Sequence, residues 1–314
     1  MSNDFHFIMI GAMYENGGNT TQRLLDGHPE LFSYPFESQP GTKYVNDYMT
    51  SMFPVKYRWP VFPLNQSVQE DYETIIDEEC KVRLKTPASS KFRDYPMEMN
   101  DQDRKARFVD FMQGKVRNRA NLVEAFYRSS ADAWKDYRRS GKEWVHVGYS
   151  PIIGVDADKI VADLPNGHVL HVVRNPWSCY ADTKKRAVPL SLAHYITGWC
   201  INQHAALTYS EKHPERVHVV RFEDIVVNPV QALSNVLAKV GVGSSPTLST
   251  PTWNGQVLKQ VYPWGTIRTP TTDANLATAN ELTAAEKDEI LKRTRPLLGI
   301  LGYESLLTEA RRAA

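Results

Sequence analysis

The feature that most constrains this chain is a short apolar run that leads through a glycine-rich turn into a helix. Residues 5–11 read FHFIMIG and are apolar without alternation, as expected for a strand buried on both faces. Gly17 and Gly18 form the turn, and the helix predicted from about Thr20 ends at Gly27. This order predicts an anion-binding loop, because backbone N–H groups converge at the helix N-terminus and the helix dipole favours negative charge there.

Strands and helices alternate again in the second half of the chain. Predicted strands lie near 143–147, 168–173 and 216–222, and predicted helices over 156–163, 176–185, 191–213 and 230–240. A capping box at Thr283 and Glu286 begins a last helix that reaches about Leu298. Such alternation predicts an α/β fold with three αβα layers and a mostly parallel central sheet. Ligands in folds of this kind bind beyond the carboxyl ends of the strands.

Two segments are less regular. Residues 40–140 contain an aromatic, proline-rich loop at 57–63, a candidate short strand at 81–85 and two helices near 101–115 and 120–140. Residues 243–276 read as a long proline-rich loop. A chain of 314 residues without internal repeats suits one α/β domain. We therefore expect a single domain over 1–314, in which 40–140 shapes an acceptor pocket.

Composition narrows the possible partners and the compartment. The chain has 37 Lys and Arg against 36 Asp and Glu, so no excess charge predicts a nucleic-acid partner. No apolar run approaches the roughly 18 residues that cross a bilayer, and the first residues lack the basic region of a signal peptide. The three cysteines, Cys80, Cys179 and Cys200, form no metal-type pair and read as reduced thiols. We expect a cytoplasmic protein without a membrane partner; its oligomeric state is not indicated.

A second anion-binding element is predicted at the end of the strand at 168–173. Arg174 follows this strand, Asn175 is suited to cap the next helix and Pro176 to its first turn. Arg174 then projects from a carboxyl strand end, where its guanidinium can bind a phosphate in a bidentate pair. A structural ion pair with a carboxylate is the alternative role.

Several motifs resemble the PAPS-dependent sulfotransferases, which have a P-loop NTPase-like fold. Gly18-Asn19-Thr20 is similar to the Gly-Asn-Thr of that family's loop, and Arg174-Asn175-Pro176 to the element that binds the 3′-phosphate of PAPS (3′-phosphoadenosine 5′-phosphosulfate). Segment 24–31 (LLDGHPEL) resembles bacterial and tyrosylprotein sulfotransferases, and 219–229 (VVRFEDIVVNP) and 302–304 (GYE) also fit the family. A nucleotide kinase or hydrolase is disfavoured, because Asn19 stands where a Walker A loop has its lysine.

The resemblance implies which residues bind PAPS, whose desulfated product is PAP. The 5′-phosphate and sulfate would lie on the loop, the 3′-phosphate at Arg174, and a late loop would close over the nucleotide. The implied cofactor-binding residues are Asn16, Gly17, Gly18, Asn19, Thr20, Thr21, Arg174, Asp182 and Arg268. Trp253 or Trp264 is expected to stack on the adenine or the acceptor, with packing against the core as the alternative.

Three of the matched positions depart from the family pattern. Asn16 replaces the loop lysine, Tyr149 replaces the lysine of a Lys-Ser/Thr-Pro segment, and Asp182 replaces a serine eight residues after Arg174. A carboxylate repels a 3′-phosphate unless it is paired, and the neighbouring residues Lys184, Lys185 and Arg186 offer pairing. Replacement cations are expected among Lys85, Lys259 and Arg268.

Two functions therefore stay open. The first is a sulfotransferase that moves a sulfuryl group from PAPS to a hydroxyl or amine of a small molecule or glycan. The second is a repurposed P-loop-fold protein that binds another anionic ligand without PAPS-dependent sulfation.

Sulfuryl transfer needs a base that takes the proton of the acceptor. Glu37 is the first candidate, because it follows the first helix near the place where tyrosylprotein-type relatives have a catalytic glutamate. His146 is the alternative, like the histidine of cytosolic aryl sulfotransferases. The competing interpretations are a solvated loop carboxylate for Glu37 and a core histidine for His146, and His171 reads as structural.

Overall fold

The computed structural model describes residues 4–258, 277–306 and 308. Its central sheet has five strands in the order β2–β3–β1–β4–β5, and every neighbouring pair is parallel. The strands are β1 (His6–Ala12), β2 (Leu31–Ser33), β3 (Val145–Pro151), β4 (Gly167–Val173) and β5 (Val217–Arg221). A small antiparallel hairpin joins β6 (Thr252–Trp253) to β7 (Gln256–Val257). The predicted parallel α/β sheet is confirmed.

Helices cover both faces of the sheet. They are α1 (Gly18–Leu25), α2 (Val68–Thr74), α3 (Glu78–Lys85), α4 (Asp101–Phe111), α5 (Arg119–Ala133), α6 (Ala157–Asp163), α7 (Pro176–Thr183), α8 (Leu192–Lys212), α9 (Phe222–Val227), α10 (Pro229–Val240) and α11 (Ala284–Ile300). Short 3₁₀ helices lie at Tyr48–Ser51, Val55–Tyr57, Pro87–Ser89, Ile153–Asp156 and Pro246–Ser249. In the described part of the chain, no helix is long and apolar enough to span a bilayer.

The β1 strand shows why the fold has three layers. Successive side chains of a strand point to opposite faces of the sheet. Phe7 and Met9 pack in a core that includes side chains of α5 and α6, whereas Ile8 and Ile10 pack in a second core with side chains of α1 and α10. A strand that is buried on both faces has no solvent-exposed face for polar side chains, which explains the unbroken apolar run.

The strand predicted at 81–85 is wrong, because these residues form the last turns of α3. Glu78 and Glu79 stand in the first turn of this helix, and Arg83 and Lys85 in the last turn. Both placements are favourable to the helix dipole. The capping box at Thr283 and Glu286 is confirmed at the start of α11.

A buried charged network connects residues 40–140 to the edge of the sheet. Arg104 of α4 has no exposed surface, and its Nη1 lies 2.7 Å from Oδ2 of Asp77. Its Nε donates to the hydroxyl of Tyr72 at 2.6 Å. The other carboxylate oxygen of Asp77 accepts the hydroxyl of Tyr34, just after β2, at 2.7 Å. Each buried charge thus has several partners, as buried charges require.

Candidate functional site

The loop between β1 and α1, here called the glycine loop (residues 13–21), lies at the carboxyl end of the central strand. Gly17 caps α1 with a φ of 93°, a left-handed conformation that favours glycine. Within the described residues, the N–H groups of Gly18, Asn19 and Thr20 donate to no acceptor, and the buried side-chain oxygen of Asn19 also lacks a partner. Thr21 N–H donates to the Gly17 carbonyl at 3.0 Å and begins the helical ladder. Three unpaired amides at a helix N-terminus form an anion-binding geometry.

Aromatic rings explain why both turn positions are glycine. A Cβ atom on Gly17 would lie 2.1 Å from the ring of Phe222, and one on Gly18 would lie 2.3 Å from the ring of Tyr149. Tyr149 is the residue that replaces a lysine of the family pattern, and here it fills space beneath the loop. The tyrosine at position 149 therefore packs closely against the turn, where the family pattern has a lysine.

Asn16 connects the glycine loop to the neighbouring strand β4. Its side-chain oxygen accepts the backbone N–H of Arg174 at 3.0 Å, and its amide nitrogen donates to the Tyr14 carbonyl at 2.9 Å. The side chain is fully buried. Asn16 thus brings the two predicted anion-binding elements together, although it supplies no positive charge.

Arg174 lies beside the glycine loop with its guanidinium already paired. Its Nη1 donates to the Glu15 carbonyl at 3.0 Å and to Oδ2 of Asp182 at 2.8 Å. The guanidinium carbon lies 5.6 Å from the centre of the Phe222 ring, and the residue is 8% exposed. The structure therefore joins two predicted site residues, Arg174 and Asp182, in an ion pair.

Glu37 lies between a tyrosine and a second carboxylate. The Tyr57 hydroxyl donates to Oε2 of Glu37 at 3.0 Å, and the Glu37 backbone N–H donates to Oε2 of Glu79 at 3.1 Å. Lys91 forms an ion pair with the other oxygen of Glu79. Burial and the adjacent Glu37 carboxylate raise the pKa of Glu79 to about 7. Proton-binding groups of this kind are typical of acid–base sites.

Aromatic contacts connect Glu37 to the glycine loop. The rings of Tyr57 and Tyr14 are 6.2 Å apart at their centres, and Tyr14 belongs to the loop. The guanidinium carbon of Arg186 lies 4.3 Å from the centre of the Tyr14 ring. Burial, partly offset by Arg186, raises the pKa of Tyr14 to about 12, so this phenol stays neutral at physiological pH. An exposed cation thus faces the loop from the segment after α7.

His146 lies away from these residues. It pairs with Phe7 at the amino end of β3, whereas the glycine loop follows the carboxyl end of β1, and the two strands are parallel. Burial lowers its pKa to about 3. It lines a separate cleft of about 160 Å³ together with Arg128 and Arg139. His146 therefore lies far from the glycine loop, which favours Glu37 over His146 as the candidate base.

Lys85 and Trp253 also lie away from the positions expected for ligand contacts. Lys85 pairs with Asp101 of α4 at 3.4 Å rather than with the glycine loop. Trp253 is buried, and its ring centre lies 5.1 Å from that of Phe92, so it packs in the core and does not offer a stacking face to a ligand. Lys259, Trp264 and Arg268 lie outside the described residues.

Several matched motifs position the site without belonging to it. Asp26 is buried and accepts the Thr252 hydroxyl at 2.8 Å, which fixes the β6–β7 hairpin under α1. Glu223 accepts the backbone N–H of Asn175 at 3.1 Å and the hydroxyl of Tyr303 at 2.7 Å. These bonds hold the turn after Arg174 in place from two later parts of the chain.

Comparisons with known proteins give the family and the fold. The model of the sulfotransferase family matches residues 8–246, so this chain belongs to the sulfotransferase family. No curated protein sequence matches it. The sulfotransferase domain from the curacin biosynthetic pathway is similar in structure, with a TM-score of 0.50 and 15% identity over 93% of this chain and 98% of that one. The sulfotransferase domain from the Synechococcus olefin synthase gives a TM-score of 0.46 and 16% identity over 88% of this chain and 94% of that one. At 15% identity the likeness to the curacin-pathway domain shows the fold alone.

Residues from distant segments lie around Glu37. Tyr57 belongs to the aromatic, proline-rich loop predicted at 57–63, whereas sequence reasoning did not find Glu79 and Lys91, which no motif marks. Arg186 was noted only as a partner for Asp182, yet it lies over Tyr14. A run of cations after α7 was the one signal that pointed to it.

The raised pKa of Glu79 predicts a specific pH dependence of stability. Its pKa rises from 4.5 to about 7 on folding. The folded chain therefore binds more protons than the unfolded chain in this window, and the contribution of Glu79 to stability, complete below pH 4.5, is lost as the pH rises through 7. We expect Glu79→Gln, measured by urea unfolding at pH 5 and pH 8, to show a smaller loss of stability between the two pH values than the unaltered chain.

The exposed neighbour Glu78, which pairs with Lys56, supplies the control for this measurement. Glu78→Gln is expected to keep the pH difference of the unaltered chain. An unchanged difference in Glu79→Gln would contradict the assignment.

Proposed function

We propose that this sulfotransferase-family chain transfers a sulfuryl group from PAPS to a hydroxyl or amine of a small molecule or glycan in the cytoplasm. The observation that carries the proposal is the set of unpaired amides at Gly18, Asn19 and Thr20, next to Arg174 at the carboxyl edge of the sheet. An anion that enters from this edge meets main-chain donors and a positively charged side chain together.

The described residues fit the anionic end of such a donor. PAPS, when bound, supplies a sulfuryl group on an activated phosphosulfate. The amides of the glycine loop would bind the anionic oxygens of that group, and the α1 dipole would stabilise charge that develops there. The loop lysine of related sequences is absent, and the exposed guanidinium of Arg186 over Tyr14 is the nearby cation proposed to replace it.

Glu37 is proposed as the general base. Its Oε2 already accepts the Tyr57 hydroxyl, so Oε1 is the atom that would take the proton of the acceptor. Tyr57 fixes the orientation of the carboxylate, and Glu79 fixes its backbone. Residues 40–140 supply Tyr57 and Glu79, which supports the proposal that this region shapes the acceptor pocket. The loop at 243–276, with Arg268, is proposed to close over the nucleotide.

Calorimetric titration with PAP tests the donor assignment. We expect the unaltered chain to bind PAP, and Arg174→Ala to weaken this binding by about tenfold or more, because a charge-assisted contact to phosphate is lost. Arg293→Ala is the matched control, since Arg293 is an exposed arginine of α11 that pairs with Glu289. Equal affinity of the Arg174→Ala and unaltered chains would contradict the role of Arg174.

One observation favours a second candidate function. Arg174 is paired with Asp182, so a carboxylate offsets the charge of the guanidinium where the 3′-phosphate would bind. A repurposed protein that binds another anion at the glycine loop would need no such phosphate contact. No heat from PAP, with a folded protein that binds inorganic sulfate or pyrophosphate, would support this second function.

A further inference from the structure

The guanidinium of Arg174, at the end of β4, already forms an ion pair with a carboxylate. Asp182 is in the last turn of α7, and its Oδ2 lies 2.8 Å from Nη1 of Arg174. The side chain of Arg174 is 9% exposed and that of Asp182 is 28% exposed. The pair is therefore shielded on the arginine side and reachable by solvent on the carboxylate side. A short ion pair with a buried arginine is not readily displaced.

Two of the three cations that follow α7 are paired with carboxylates, and the third, Arg186, lies over Tyr14. Lys184 lies 2.6 Å from Glu286, and Lys185 lies 2.7 Å from Glu281. Lys185 also lies 3.3 Å from Oδ1 of Asp182. The charges of Arg174, Lys184 and Lys185 are thus each offset by a carboxylate. A phosphate that approaches Arg174 meets the carboxylate of Asp182 at the guanidinium.

We infer that Asp182 competes with the 3′-phosphate of the nucleotide for the guanidinium of Arg174, and so limits the affinity for bisphosphorylated adenosine. This inference rests on the proposed function, since it concerns the same nucleotide. The 3′-phosphate either displaces the carboxylate from Arg174 or binds beside it against like-charge repulsion. A displaced Asp182 keeps a partner, because Lys185 is already within 3.3 Å of it. Asp182 is therefore a specificity-determining residue that reduces the affinity gained from a 3′-phosphate.

The test compares two nucleotides that differ only at the 3′ position. PAP and adenosine 5′-monophosphate are titrated by calorimetry into the unaltered chain, Asp182→Ser and Asp182→Asn. Both variants remove the carboxylate, and the asparagine keeps the size of the side chain in case serine disturbs α7. We expect each variant to bind PAP about tenfold or more tightly than the unaltered chain, and to bind adenosine 5′-monophosphate within about twofold of it.

Glu281→Gln is the matched control. It removes one negative charge from the same neighbourhood and one partner of Lys185, but it leaves the Arg174–Asp182 pair in place. We expect its affinity for PAP to equal that of the unaltered chain. If Glu281→Gln tightens PAP binding as much as Asp182→Ser does, overall charge explains the effect and the inference is overturned.

The remaining outcomes separate this inference from the proposed function. If the unaltered chain binds PAP and both Asp182 variants bind it no more tightly, the competition is overturned while the proposed function stands. If the variants gain affinity for both nucleotides equally, the effect is not at the 3′ position, and the inference is likewise overturned. If PAP binds to none of the proteins, the proposed function and the inference that rests on it both fall.

Discussion

The Glu37→Gln protein is expected to bind PAP with the affinity of the unaltered chain and to lose about 100-fold or more of its turnover, the usual contribution of a general base. Glutamine keeps the size of the side chain and still accepts the Tyr57 hydroxyl, so the fold of this region should not change. Turnover is followed as release of PAP from PAPS with a panel of phenols, alcohols, amines and sugars. Calorimetry with PAP gives the affinity.

Glu211→Gln is the control for this experiment. Glu211 is an exposed glutamate near the end of α8. This helix leads into the amino end of β5, which is the edge strand on the other side of the sheet from β2. Its variant should turn over like the unaltered chain. Unchanged turnover in Glu37→Gln would remove Glu37 from the role of base, and a loss of PAP binding would show that it acts on the nucleotide instead.

Arg104→Met is expected to destabilise the folded chain by about 3–5 kcal/mol, because it leaves the buried carboxylate of Asp77 without its cation. Arg104 has no exposed surface and lies 2.7 Å from Asp77. Methionine fills part of the same volume, so the loss reports mainly the unpaired charge. Urea unfolding at neutral pH measures it as a lower midpoint.

The same helix supplies a matched control for the loss. Arg107 of α4 pairs with Asp103 at 3.1 Å, but the two side chains are 44% and 35% exposed. Arg107→Met is expected to cost less than about 1 kcal/mol, as exposed pairs do. Adding Asp77→Asn to Arg104→Met should restore part of the stability. A double variant as unstable as Arg104→Met would show that the charge of Asp77 is not the cause.

The parts of the fold that were predicted from sequence are those with strong local signals. The apolar run of β1, the glycines of the turn and the Arg174-Asn175-Pro176 segment each carry their own pattern, and all three are where they were expected. Such signals depend on residues close together in the chain, so one sequence is enough to recognise them. The parallel sheet then follows from the alternation of strands and helices.

The parts that were not predicted depend on contacts between distant segments. Glu79 lies beside Glu37 only because α3 folds back against the residues after β2. The segment 81–85 is a candidate strand when taken alone, yet the acidic start and basic end of α3 favour a helix. Residue type alone makes His146 a candidate base, but only the strand register shows that it lies near the amino end of β3, away from the glycine loop.

The tight fit of Phe222 and Tyr149 against Gly17 and Gly18 has a consequence for how a ligand is received. Side chains that fill the space next to a turn restrict the shapes it can adopt. The amide donors therefore point in their binding directions before any anion arrives, and little conformational entropy remains to be lost on association. An anion should therefore bind at this turn without rearrangement of the backbone. Discrimination between nucleotides then depends on the side chains around the turn.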